Sequence, residues 1–322
     1  MKLAKWLIPL ALILALPAPA EERGRSPFKD LSDEELDRLV ELHHTQEEEF
    51  RLVLLPTSVT DRRGRVVHGL NSEQFRLYED QVAQEIRYFA SEATEPLSIA
   101  FLLDVSGSMR QLGKLEHAKA AIRSIVEALG SEDRVGLICF ADEQVVWVTD
   151  FTQDRGRFLE RLDVQHGFGQ TALNDAVALA PQLVEDQADG RRALVLITDG
   201  VDNASDLAMS AAIESARRVE MPIYTVGFLS VDRGSLPKDY ESTNLEVLDR
   251  VAHETGGRMF AVSGPGDLKE AILTLENELR HQYLIGYYTA SRDGAYHHIS
   301  LTVKPTKYRV RTRKGFWTGK GS

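Results

Sequence analysis

Five oxygen-bearing side chains in three separated segments of the chain could together bind a small, hard cation. Divalent cations such as Mg²⁺ prefer oxygen ligands, and Mg²⁺ keeps some of its waters in a near-octahedral shell. Three hydroxyls and two carboxylates neutralise such an ion less than a cage of acids would, so the ion could still accept a carboxylate from another molecule. The candidate ligands are Asp104, Ser106, Ser108, Thr171 and Asp199.

Each candidate ligand lies where a strand or a turn leads towards a helix. Asp104 and Asp199 end apolar runs that are typical of buried strands, and Thr171 follows a glycine-rich turn and opens a helical pattern. In an open parallel sheet these loops gather at the carboxyl ends of the strands, so residues remote in sequence would meet there. Residues of these types also cap helices and turns. The occurrence of all five in this order favours a metal site over five separate caps.

The three segments also carry a family resemblance. The D-x-S-x-S run from Asp104, the isolated Thr171 and the T-D-G turn at Asp199 together resemble the metal-ion-dependent adhesion site of von Willebrand factor type A domains. The resemblance covers roughly residues 98–280 and keeps the family's order of motifs. It implies that Ser106, Ser108 and Thr171 contact the metal, while the two carboxylates act directly or through water. One metal position would then accept an Asp or Glu carboxylate of a partner protein.

Two kinds of hydrophobic pattern predict two domains. Helical and strand-like runs alternate over residues 96–281, which indicates an α/β fold with a doubly wound, mostly parallel, Rossmann-like sheet. Short strands of alternating polarity occupy residues 50–95 and 282–316. We predict that these flanks pair into a smaller antiparallel β-sandwich into which the α/β domain is inserted. The flanks also resemble those of exported bacterial type A proteins.

The N-terminus has the layout of a secretory signal peptide. Lys2 and Lys5 precede an apolar run, and the small residues Ala18-Pro19-Ala20 precede a polar stretch. A membrane anchor is the alternative, but the run is short for a span of about 20 residues. We expect residues 1–20 to be removed and residues 21–49 to form a polar leader with a short helix. The mature chain would be periplasmic or extracellular, without a transmembrane segment.

Composition narrows the choice of partners. The formal net charge is −11, and removing the two lysines of residues 1–20 lowers it to −13, which disfavours nucleic acid as a partner.

The single Cys139 lies in an apolar run and is expected to be an inert core thiol. The histidine pairs at positions 43–44 and 297–298 are interpreted as ordinary surface or half-buried residues and not as metal ligands, because neighbouring side chains point in different directions. The basic residues 304–314 are read as a solvated strand face, with contact to anionic lipid or glycan as the alternative.

The sequence therefore predicts an exported protein-binding module, for adhesion or complex assembly, that uses Mg²⁺ and is not an enzyme; Mn²⁺ and Ca²⁺ remain alternatives. Bound metals can also activate water, but no general base is evident beside the motif. The competing hypotheses are a metal-dependent hydrolase and an envelope scaffold whose metal is purely structural.

Overall fold

The middle of the chain and its two flanks build different kinds of sheet. A computed structural model describes residues 50–91, 96–185, 187, 191–200, 202–229 and 238–318, with the backbone alone for 238–244. The predicted signal peptide and leader helix lie outside the described residues. The strands are β1 (Arg51–Thr60), β2 (Phe75–Glu79), β3 (Val82–Gln84), β4 (Tyr88–Ala90), β5 (Leu97–Asp104), β6 (Arg134–Ala141), β7 (Gln144–Thr152), β8 (Arg191–Thr198), β9 (Ile223–Phe228), β10 (Met259–Val262), β11 (Tyr283–Thr289), β12 (Tyr296–Val303), β13 (Arg309–Arg311) and β14 (Gly315–Trp317). The helices are α1 (Lys114–Ala128), α2 (Arg155–Asp163), α3 (Leu173–Glu185), α4 (Met209–Ala216), α5 (Lys238–Thr255) and α6 (Pro265–Arg280).

The central sheet has the strand order β10-β9-β8-β5-β6-β7 and is parallel except for β7, which pairs antiparallel with β6. Every residue of β5 is buried, as expected for a strand covered on both faces. Its alternate side chains enter two cores: Phe101 packs with α1, α2 and α6, whereas Leu102 packs with α3, α4 and α5. The predicted α/β class and mostly parallel sheet are confirmed.

The flanking strands form two four-stranded antiparallel sheets, ordered β13-β1-β11-β4 and β14-β12-β2-β3. Their inner faces share one core, in which Leu55 and Ile285 of the first sheet pack with Leu77 and Leu301 of the second. Strands from both ends of the chain therefore complete each sheet. Residues 82–90 contribute to both sheets, because β3 pairs with β2 in one sheet and β4 pairs with β11 in the other.

The basic C-terminal segment differs from the prediction. Arg309 is exposed, but Arg311 pairs with the fully buried carboxylate of Glu278 on α6, and that carboxylate also accepts a hydrogen bond from Arg258 at 2.8 Å. Arg313 is buried and lies 3.1 Å from Glu220. The prediction of a solvated face is therefore wrong for two of these arginines, because acidic groups remote in sequence face them.

Two remaining observations concern the single cysteine and the hydropathy of the helices. Cys139 lies in the core as predicted, and burial raises the pKa of its thiol to about 12, which keeps the thiol protonated and unreactive. Within the part of the chain that the structure describes, no helix has the length and apolar character needed to cross a membrane.

Candidate metal centre

Asp104 is the last residue of β5 and lies at the carboxyl edge of the central sheet, with no solvent exposure. Its Oδ1 accepts a hydrogen bond from the backbone N–H of Ser106 at 2.8 Å, and its Oδ2 accepts one from Oγ1 of Thr198 at 2.6 Å. Burial raises the pKa of Asp104 to about 6, and the nearby negative charge of Asp199 acts in the same direction, although the hydrogen bonds oppose both effects. A buried acid of this kind would be stabilised by a cation.

The two serines of the motif present their hydroxyls to the same place. Oγ of Ser106 lies 3.0 Å from Oγ of Ser108, and Ser106 is fully buried. Ser106 stands at the start of a short 3₁₀ turn (Gly107–Gly113), yet its side chain makes no capping hydrogen bond to that turn. The helix-capping alternative therefore does not account for Ser106. Two hydroxyls converging beside a buried carboxylate are suited to a hard cation.

Backbone hydrogen bonds join the Thr171 segment to the other two. The N–H of Gly107 donates to the carbonyl of Gly169 at 3.0 Å, which ties the segment to the serine motif. The carbonyl of Thr171 accepts from the N–H groups of Asn203 at 3.0 Å and Ala204 at 3.1 Å, and the N–H of Thr171 donates to Oδ1 of Asn203 at 2.8 Å. The three segments predicted to meet are therefore neighbours, and Thr171 is buried among them.

Asp142 fixes the turn that precedes Thr171. Its N–H donates to the carbonyl of Gln170 at 2.8 Å, and its Oδ1 accepts from the N–H of Gln170 at 2.7 Å. Gly169 has a φ of +64°, and a Cβ there would lie 2.2 Å from Oδ2 of Asp142. Only glycine meets both the left-handed conformation and the close approach. The sequence analysis did not identify this role of Asp142, because it depends on a contact between two loops.

Lys114 is a charged residue of the site that the sequence analysis missed. Its Nζ donates to Oδ2 of Asp199 at 2.9 Å, and both side chains are buried. Lys114 is the first residue of α1, where the helix dipole disfavours a positive charge. A lysine at that position is the signal that could have indicated a specific acidic partner.

The second carboxylate oxygen of Asp199 is evidence that a positively charged ligand binds at this site. Oδ1 of Asp199 is buried and has no hydrogen-bond partner among the described residues. Buried polar atoms in native proteins are normally paired with protein, water or an ion. This atom and the hydroxyls of Ser106 and Ser108 are all oxygen donors, the kind of ligand that a divalent cation such as Mg²⁺ prefers.

The family comparison agrees with this geometry. Residues 99–201, which include all five candidate ligands, match the model of the von Willebrand factor type A domain family. This part of the chain is a von Willebrand factor type A domain. The resemblance drawn from the three motifs is thereby confirmed for the family, while the role of each of the five residues as a metal ligand stays a prediction.

The domain has relatives in proteins of different kinds. The chain is 27% identical over 194 residues to an uncharacterized protein of Borreliella burgdorferi, covering 54% of this chain and 56% of that protein. It is 26% identical over 162 residues to the inter-alpha-trypsin inhibitor heavy chain H3 of Bos taurus, covering 44% of this chain and 18% of that protein. The chain thus spans about half or less of these relatives.

Solved structures of low sequence identity are also similar. One is a conserved hypothetical protein, BatB, from Bacteroides thetaiotaomicron, with a TM-score of 0.44 and 21% identity over 56% of this chain and 98% of that one. Another is a von Willebrand factor type A protein from Catenulispora acidiphila, with a TM-score of 0.48 and 13% identity over 84% of this chain and 73% of that one.

Proposed function

We propose that this chain is an exported protein-binding module that docks an acidic side chain of a partner protein onto a divalent metal. Asp104, Ser106, Ser108, Thr171 and Asp199 would hold the ion. The observation that carries the proposal is the buried Oδ1 of Asp199, which has no hydrogen-bond partner among the residues that the structure describes, together with the hydroxyls of Ser106 and Ser108, which lie 3.0 Å apart. A buried carboxylate oxygen is normally satisfied by protein, water or an ion, and a bound cation would satisfy this one.

The donor set favours docking. When bound, the metal supplies a Lewis-acidic position to which a carboxylate oxygen can bind. The chain's own contribution is three neutral hydroxyls and two acids, one of which, Asp199, already pairs with Lys114. Such a set leaves positive charge on the ion. An Asp or Glu side chain of the partner is the ligand that best neutralises this charge, and Mg²⁺ is the ion that best suits an all-oxygen set that keeps some of its waters.

The last helix of the domain offers a route from the metal loops to the sandwich. Glu278 near the end of α6 contacts Arg258, which precedes β10, and Arg311 of β13. Because Glu278 is fully buried, its charge requires both partners to stay in place. We propose that a shift of α6 on partner binding would be transmitted to the sandwich through this cluster.

Partner capture tests the proposed function. The mature protein, immobilised, is incubated with an envelope extract in Mg²⁺ or in EDTA, and captured proteins are identified by mass spectrometry. We expect a partner that is held in Mg²⁺, released by EDTA and not captured by Ser106→Ala. Ser124→Ala is the matched control, because Ser124 is an exposed serine of α1 whose hydroxyl donates to the carbonyl of Ala120 in the same helix.

A second measurement separates docking from a structural metal. Circular dichroism would verify that Ser106→Ala is folded, and replacement of the partner's acidic residues by their amides would then abolish capture. Capture of the same partner by Ser106→Ala with unchanged EDTA sensitivity would refute the assignment. Chelation that lowers the melting temperature without affecting capture would favour a scaffold with a structural metal.

A further inference from the structure

A second group of metal-ligating side chains lies in the sandwich, where β2 turns into β3. Three carboxylates surround the imidazole of His297 on β12. Nδ1 lies 2.7 Å from Oδ2 of Asp80 and 3.4 Å from Oε1 of Glu79, and Nε2 lies 3.0 Å from Oδ1 of Asp293. His297 is buried whereas His298 is exposed, so the prediction that the two rings point in opposite directions is confirmed.

We propose that Glu79, Asp80 and His297 form a second metal site, for a borderline divalent transition-metal ion such as Zn²⁺. One ligand atom from each residue lies within 4.8 Å of the other two. Ligand atoms of a tetrahedral zinc ion, at about 2.0–2.1 Å from the metal, are about 3.3 Å apart. The distance between Nδ1 of His297 and Oε1 of Glu79 already matches this value. The shorter distance to Asp80 would open when the metal replaces the proton on Nδ1, and Asp80 is half exposed and can move.

The Glu79 carboxylate points independently to a missing ligand. Glu79 is 5% exposed. Its Oε1 accepts hydrogen bonds from Oγ1 of Thr289 at 2.9 Å and Oγ of Ser291 at 2.7 Å, whereas its buried Oε2 has no hydrogen-bond partner in the described part of the chain. Burial, and then the neighbouring Glu79 carboxylate, raise the pKa of the Tyr287 hydroxyl. A buried acid with one unpaired oxygen, on the same group that approaches His297, is what a bound cation would satisfy.

Charge balance favours a divalent ion over a proton. Both ring nitrogens of His297 face carboxylates, so the ring supplies at most one positive charge among three negative ones. Arg313 also acts electrostatically on Tyr287, but it is ion-paired with Glu220. A divalent ion in place of the proton on Nδ1 would supply one further positive charge where the carboxylates converge.

Asp293 would orient the ring. Its Oδ1 faces Nε2 of His297 and also accepts hydrogen bonds from the N–H of Ala295 at 2.9 Å and Oγ1 of Thr318 at 2.9 Å. A carboxylate held in this way keeps the proton on Nε2 and leaves Nδ1 to ligate, which is the usual arrangement around a metal-bound histidine.

Zinc titration of the full chain tests the site. The Ser106→Ala background weakens the candidate adhesion site, and excess Mg²⁺ competes for its remaining oxygen ligands. We expect calorimetry to detect one Zn²⁺ per chain in this background, and Co²⁺ to give a visible absorption band. His297→Ala and Asp80→Asn should each weaken Zn²⁺ binding at least tenfold, and Asp293→Asn by about 10–100-fold.

A control variant, His298→Gln, and a second test variant, Asp80→Asn, allow the titration to accept or reject the site. His298→Gln alters the exposed neighbour and should bind Zn²⁺ like its parent. If His297→Ala does not fold, Asp80→Asn decides, because asparagine keeps the oxygen that accepts the N–H of His298 at 2.8 Å. The proposal is refuted if Ser106→Ala binds no Zn²⁺, or if its Zn²⁺ affinity is unchanged by Asp80→Asn. Neither result would affect the proposed docking function, which rests on the other site.

Discussion

Lys114 and a metal ion would compete for the same carboxylate. In the metal-free chain, Lys114 supplies the positive charge beside Asp199 at 2.9 Å. A divalent ion at the candidate site would either displace this ammonium group or bind beside it, and both cost free energy. Lys114 is therefore expected to set how tightly the site holds its metal.

Replacing this lysine should strengthen metal binding. A hydrogen bond between charged groups contributes about 1.5–3 kcal/mol, so Lys114→Met should raise the Mg²⁺ affinity roughly tenfold or more. The metal-free variant should be less stable, because Asp199 loses its counter-charge. Calorimetric titration with Mg²⁺ checks this prediction. Lys119→Met is the control, since Lys119 is an equally buried lysine of α1 that pairs with Glu116 instead; equal gains in both variants would contradict the competition.

Asp104 makes the stability of the metal-free chain depend on pH. The pKa of Asp104 is about 6 in the folded chain, whereas the ordinary value for an aspartate is 3.8. Because the folded state holds the proton more tightly, this group stabilises the fold at low pH, and the contribution is lost as the pH rises through about 6. His297, whose pKa is raised by hydrogen bonds to Asp293 and Asp80 against the effect of burial, acts in the same direction.

Denaturation in EDTA should therefore show a free energy of unfolding that falls between pH 5 and pH 7.5, with about 1 kcal/mol of the fall due to Asp104. Asp104→Asn should lose that part of the pH dependence and keep the part due to His297. An identical pH profile in the variant would mean that Asp104 is not the titrating group.

Residue types alone were enough to propose the five ligands, because hydroxyls and carboxylates at strand ends have few other joint uses. They were not enough for Lys114 or Asp142, whose partners Asp199 and Gln170 lie 85 and 28 positions away. The His297 cluster was missed for the same reason, since its carboxylates at positions 79, 80 and 293 come from two ends of the chain.

Among the elements, the turn before α3 has the strictest backbone requirement. Gly169→Ala would place a methyl group against Asp142 in a left-handed conformation and so shift the turn that precedes Thr171. We expect the Mg²⁺ affinity to fall about tenfold or more. Backbone strain should lower the free energy of unfolding by about 1–3 kcal/mol. Calorimetry and chemical denaturation measure the two effects.

Gly266→Ala is the matched control for that variant, because an added Cβ there meets no atom within 4 Å and the residue lies in α6. It should bind Mg²⁺ normally and be as stable as the parent or more so. Normal Mg²⁺ affinity in Gly169→Ala would show that the turn does not position a ligand.

The periodic elements were predicted well where packing and local pattern agree. The strand β9 and the helix α6, for example, lie within the alternating pattern of residues 96–281 that predicted the α/β fold. The division between β3 and β4 was not resolved, because apolar and polar residues intermingle over 82–89 with no turn signal where the chain crosses from one sheet to the other. The half-buried ion pair of Arg311 was missed because its partner Glu278 belongs to a different element.

At the scale of the whole molecule, the α/β part leaves and rejoins the sandwich at adjacent points. Ala90 at the end of β4 pairs with Leu284 at the start of β11. An insertion between neighbouring strand positions leaves the host sheet undisturbed, which supports the predicted boundaries 50–95 with 282–316 and 96–281. From Leu52 onwards the described residues nevertheless pack as one compact unit, so the two-domain division stays a prediction.

Excision of residues 96–281 tests that division. We expect the fragment to fold and to bind Mg²⁺ within a few-fold of the full chain, because all five candidate ligands lie inside it. Its melting temperature should fall by several degrees, since Glu278 loses Arg311 while remaining buried. Circular dichroism and calorimetry measure both. A fragment that is unfolded, or that binds no Mg²⁺ while the full chain does, would contradict an autonomous domain.

The central claim is that five side chains from three loops hold one divalent ion, and a crystal structure with Mn²⁺ tests it most directly. We expect an anomalous peak within about 2.0–2.6 Å of the hydroxyls of Ser106, Ser108 and Thr171. Asp104 and Asp199 should contact the ion directly or through water, and at least one metal position should be occupied by water or a neighbour's carboxylate. A peak that lacks Thr171 among its contacts, or no peak at this edge of the sheet, would contradict the account.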